Sequence, residues 1–153
     1  MIQRIQSLHL LAATLLAGIP LFAPMAHFIN SEEAYTLYAF TLRSSSATTP
    51  TFYMGILLAL ACALPFVTIF LFRNRMLQIR LCVVEAILLL GAVGMEAIYC
   101  HLSHRLAAAA GPCTAGYHFA VLALPLIAIL FVWLAARAIF RDELLVKASD
   151  RIR

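Results

Sequence analysis

Glu85 and Glu96 interrupt an otherwise apolar stretch of the chain, and any chemistry would have to start from them. A carboxyl group inside an apolar helix is costly in hydrocarbon. It marks either a functional site or a hydrogen bond between helices. The two are 11 residues apart. On an α-helix that spacing puts them within about 20° of one face and roughly 16 Å apart along the axis. Gln78, Cys82, Leu89, Val93 and Cys100 fall in the same stripe, so one helix carries a polar seam. The seam suits a proton or ion relay, or a ligand-binding carboxylate. The plainer role is a structural hydrogen bond to a neighbouring helix. Depth along the chain makes His9, Gln6 or Arg4 the expected partner of Glu85.

The histidines are the next candidates. His9 stands at the depth of Glu85, whereas His27, His101 and His118 stand near the level of Glu96. Converging, they could ligate a metal or, as an axial pair, a haem. No two of them have the one-turn spacing of a helical metal site, and His101 and His104 fall at a helix end. Such residues more often place their polar tips in interfacial water. No metal and no cofactor is therefore expected. Cys62 and Cys82 read as small packing residues. Cys100 and Cys113 bracket a short segment and can pair in an oxidising compartment. The chain has no Cys-x-x-Cys, nucleophile–base motif, phosphate loop or nucleotide fingerprint. No catalytic residue is expected, and the chain does not read as an enzyme.

The elements that must position these groups follow from composition. Of 153 residues, 64% are hydrophobic and 12% charged. Soluble domains carry roughly 25% charged residues, so most of this surface must face lipid. Four apolar runs, about 5–28, 52–72, 79–100 and 117–140, each have 21 to 24 residues. About 20 helical residues span the hydrocarbon core. The runs are continuous rather than alternating, which excludes a β-barrel. The expectation is a single all-α domain, an integral membrane four-helix bundle. The first run is too long for a signal peptide and reads as a retained helix.

Nine of the eleven basic residues flank the ends of the chain and the 73–78 connection, leaving Arg43 and Arg105 on the other side. Short loops rich in Lys and Arg stay in the cytoplasm, so both termini are expected there. The outer segments are then 29–51 and 101–116. The stretch Tyr35–Leu42 reads as extended, either an interfacial aromatic belt or a strand pairing with a partner or with the other outer segment. Small residues at Gly55, Ala59 and Ala63, at Gly91 and Gly94, and at Ala13, Ala17 and Gly18 would allow close helix packing. Pro20, Pro24, Pro65 and Pro125 should loosen their helices. The 141–153 tail continues as an amphipathic helix, with Arg4 expected to reach Asp142 or Glu143. No basic stripe carries interleaved aromatics, so nucleic acid is not an expected partner.

The opening Met1-Ile2-Gln3-Arg4-Ile5-Gln6 and the closing Arg141-Asp142-Glu143-Leu144-Leu145-Val146 and Asp150-Arg151-Ile152-Arg153 resemble a family of bacterial four-span membrane proteins. That family is classed only as a domain of unknown function. The resemblance implies a bacterial inner membrane and brings no catalytic residue with it. The functional expectation is an accessory or assembly subunit of a membrane complex, with a protein partner or a second copy in the bilayer. The rival is a small transporter or proton-conducting component using Glu85 and Glu96. A membrane redox protein is the weaker third.

Overall fold

Pro24 ends the first helix. α1 (Ile2–Phe22) stops just before it, because the proline ring disfavours helical backbone at the residue it follows. The chain then becomes extended through β1 (Ala26–Asn30), β2 (Ala34–Leu37), β3 (Thr41–Arg43) and β4 (Thr48–Pro50). It continues through α2 (Phe52–Phe70), α3 (Arg75–Ala109), β5 (Cys113–Tyr117), the short α4 (Phe119–Leu122) and α5 (Leu124–Asp150). The computed structural model describes residues 2–30, 33–71, 74–109 and 111–150, and the side chains of 2–4 and 146–150 lie outside that description.

The strands form one five-stranded antiparallel sheet in the order β4-β3-β2-β1-β5. The fold is therefore not all-α, and the expectation of a purely helical bundle is corrected. The cause lies in β1. Its residues are apolar enough to merge with the preceding helix into a single run, and a short buried strand and a helix segment share that signature. Burial alternates along β1, with Ala26, Phe28 and Asn30 buried and Ile29 exposed. The stretch around Tyr35–Leu42 forms β2 and β3 and pairs within the chain.

Helix α3 carries the sheet. Its 35 residues measure about 52 Å at 1.5 Å each, well beyond the roughly 30 Å hydrocarbon core. Most of the expected outer loop 101–116 is thus the end of this helix followed by β5. Ser103 and Ala107 on the extension are buried. Asn30 Nδ2 donates to the Ala107 carbonyl at 3.2 Å, and the Phe28 ring meets His104 edge-on at 5.9 Å. The inner face of the sheet and the adjoining turns bury Met25, Phe28, Leu37, Ala39 and Leu42 against Met54 and Leu58 of α2. Thr51 ties the β2–β3 turn to the start of α2, its Oγ1 donating to the Ala39 carbonyl at 3.0 Å.

In the membrane-length part, the buried positions alternate three and four residues apart. They are Gln6, Leu10, Ala13, Ala17 and Pro20 on α1, then Met54, Leu58, Ala61, Pro65 and Thr68 on α2. On α5 they are Pro125, Ala128, Val132, Ala135 and Ile139. This alternation is the seam of left-handed, shallow-angle helix packing. α1 packs along α2 and α5, and α3 packs along the same two, so α1 and α3 occupy opposite corners. Ala13 and Ala17 lie in the seam as expected, whereas Ala63 and Gly94 are exposed away from it, and Gly91, though exposed, lies beside Leu57 of α2. The four helices are long and apolar enough to cross a membrane. Their outer faces expose large side chains such as Leu8, Leu15, Ile87 and Leu130, a surface that water covers poorly.

Candidate functional site

The polar seam of α3 faces the interior of the bundle. Gln78, Cys82, Glu85, Leu89, Ala92, Glu96, Cys100 and Ser103 are all buried. At the end next to the α2–α3 connection Gln78 Nε2 donates to the Thr68 carbonyl at 3.0 Å. Thr68 in turn donates its Oγ1 to the Leu64 carbonyl at 2.8 Å. The start of α3 is so pinned to the end of α2, and the rotation of the seam is set.

Above this clip the polar groups lose their partners. Glu85 is 1% exposed and Glu96 2%. Both carboxyl oxygens of Glu85 and Oε1 of Glu96 are buried with no hydrogen-bond partner among the described residues. Across the bundle, Gln6 Nε2 and His9 Nδ1 are in the same condition. The expected hydrogen bond from Glu85 to His9 or Gln6 does not form. The reason is the arrangement of helices: α1 and α3 are diagonal, so their polar groups face each other across the centre rather than along a shared contact. The expected alternative partner, Arg4, lies outside the described side chains. His9 meets Phe131 of α5 instead, with ring centroids 6.2 Å apart.

Glu85 and Glu96 belong to two layers. The inner layer joins Leu10, Ala13, Cys82, Leu89 and Val132. The outer layer joins Met54, Leu58, Ala92 and Cys100 to the buried face of the sheet. Leu89 and Ala92 stand between the acids and are fully buried, so no unbroken polar path links them. A buried, unpartnered carboxyl carries a desolvation cost of a few kcal/mol unless water, a ligand or a proton satisfies it. The arrangement is that of two separate buried acids on one helix face.

The outer histidines do not gather around Glu96. His101 is exposed on α3, and His104 is taken up by Phe28. His27 and His118 do meet, with His27 Nδ1 and His118 Nε2 at 3.2 Å. No group of three or more metal-ligating side chains converges among the described residues. Cys100 and Cys113 carry free thiols and join the same apolar cluster. Two polar links had no clear sequence signal. One is Gln78 to Thr68. The other is Arg75 to Asp142, at 2.8 Å between the start of α3 and the later part of α5. The pairing of Gln78 with Thr68 depends on two helices meeting end to end, which residue spacing on either helix does not show.

These features define a class: a four-helix membrane-length bundle capped at one end by a sheet built from its connections, with acids sealed inside. The chain belongs to the family described as "Domain of unknown function (DUF4293)", whose model matches residues 2–152. That agrees with the resemblance carried by the two ends of the sequence. Among curated proteins none matches the chain.

Proposed function

We propose that the protein is a multi-pass protein of the bacterial inner membrane and acts as a small proton-coupled transport component. Both ends would lie in the cytoplasm and the sheet outside. The supporting observation is the pair of buried acids on one helix face, Glu85 with both carboxyl oxygens and Glu96 with Oε1 unpartnered among the described residues, across the bundle from His9 Nδ1 and Gln6 Nε2 in the same condition. Intramembrane acids facing a bundle interior commonly serve proton or ion pathways. The apolar plug of Leu89 and Ala92 between them favours an occluded carrier over an open pore. Proton flux into proteoliposomes, followed with a trapped pH-sensitive dye, tests this. Flux above that of empty vesicles is expected, falling to their level in Glu85→Gln and Glu96→Gln. Wild-type flux equal to that of empty vesicles sinks the reading.

A second reading, an accessory subunit of a membrane complex, is favoured by a different observation. β5 ends the sheet, with β1 on one side only, and its Cys113–Tyr117 stretch holds neither proline nor charge to blunt the edge. Exposed edges of this kind accept an added strand from a partner. Purification from native membrane would then retain a stoichiometric protein partner. A lone polypeptide in mild detergent counts against it.

A further inference from the structure

We infer that His27 and His118 form a two-histidine site for a divalent transition-metal ion on the exposed face of the outer sheet. Strand register creates the pair. His27 of β1 lies opposite Gly116 of β5. The ladder runs one step further, His118 N–H donating to the Met25 carbonyl at 2.9 Å. Side chains alternate along a strand, so His118 stands on the same face as Gly116 and diagonally beside His27.

The two rings are tilted by 56°, with centroids 5.1 Å apart, and turn nitrogens rather than faces toward each other. His27 Nδ1 and His118 Nε2 are 3.2 Å apart. Two imidazole nitrogens bound at about 2.0–2.1 Å to one tetrahedral ion stand roughly 3.3 Å apart. The pair is therefore preset at the spacing a shared ion requires, and binding needs little movement of either chain. Gly116 holds the His27 ring in place from the other side. A Cβ at that position would collide with Nε2, Cε1 and Cδ2 of the imidazole. The ring lies against bare backbone there, with Nδ1 left to face His118.

Without metal, one ring donates its N–H to the other. To bind an ion, the donor ring moves that hydrogen to its second nitrogen, and both facing nitrogens then present lone pairs. No proton is gained or lost by the pair. Imidazole ligands suit zinc, copper and nickel, with copper(II) bound most tightly. Two protein ligands leave the remaining positions to water, so the ion stays open to exchange. His101 and His104 are the competing candidates, three residues apart on α3.

Copper(II) titration of the purified full chain in detergent tests the site, with nitrogen ligation read by electron paramagnetic resonance. One saturable equivalent is expected, with two imidazole nitrogens coupled to the ion. His27→Gln and His118→Gln should each weaken binding by about tenfold or more. Gly116→Ala should weaken it as well, whereas the double variant His101→Gln, His104→Gln should not. The His118 ring is exposed, so its variant keeps the fold, which the helical circular dichroism signal verifies. Affinity unchanged in both His27→Gln and His118→Gln, or lost only in the His101/His104 variant, overturns the proposal. So does the absence of saturable binding.

Discussion

Arg75 at the start of α3 holds Asp142 of α5, Nη1 to Oδ2 at 2.8 Å, with the two side chains 26% and 14% exposed. The pair clips the exit of the last helix to the connection between α2 and α3. Asp142 was an expected partner of Arg4, whose side chain lies outside the described residues. The acid is engaged by a cation from a different helix.

Removing this clip should loosen the tail more than the fold. Ion pairs near a surface contribute about 0.2–1 kcal/mol, so Asp142→Arg should lower the thermal midpoint only slightly. Limited chymotrypsin digestion should nonetheless cut faster at Phe140. The exchange Arg75→Asp with Asp142→Arg should restore the slow rate. Equal cleavage in all three forms would show that the tail is held elsewhere.

Gly55 is the seat of Phe40. A Cβ there would run into the Phe40 ring, which docks the β2–β3 turn on the first turn of α2. Gly55→Ala should cost about 1–3 kcal/mol through overpacking, measured by thermal unfolding in detergent. Adding Phe40→Ala should recover part of that loss. A larger loss in the double variant would mean that the ring, not its fit, is what matters.

Glu33 accepts a hydrogen bond from the Ser44 hydroxyl across the strands. Chiefly through Ser44, then Ser46, with a smaller part from Tyr35, its carboxyl is held below its ordinary value of 4.5. The folded value is lower than the unfolded one. The link therefore stabilises the sheet fully above the unfolded value and is lost as pH falls through the folded one. The protection of β2 and β3 amides against hydrogen exchange, taken relative to the intrinsic rate at each pH, should fall in that acid range. Ser44→Ala should move the carboxyl midpoint upward toward 4.5, as read by carboxyl-carbon NMR. An unmoved midpoint would exclude Ser44 as its main cause.

Topology is the fourth prediction. Nine of eleven basic residues flank the inner ends, which should keep both termini in the cytoplasm. Reporter fusions at Ser46 and after Arg153 should report opposite compartments. A shared compartment would rule out the proposed orientation.

The four long apolar helices, and the alignment of Gln78, Cys82, Glu85, Glu96 and Cys100 in one stripe, were legible in the sequence, whereas the turn of that stripe into the bundle rather than toward a partner was not. Helical periodicity is local, so it aligns the stripe, but a polar stripe on an apolar helix can be sheltered by the bundle or by a partner. The sheet was legible only in part. Tyr35–Leu42 carried strand character, but β1 was hidden in a run that a helix explains equally well.

Tertiary structure decided the rest. Which strand meets which depends on how α3 projects past the bundle, since Ala107 accepts the Asn30 amide and His104 meets the Phe28 ring. The meeting of His27 with His118, 91 residues away, follows from the β1–β5 register, which neither segment encodes alone. Among the described residues Glu85 does not meet His9 or Gln6, the partners its depth suggested, because depth along a helix is local information. The corner a helix occupies is not: it is set by all four helices together, and it put α1 diagonally across from α3.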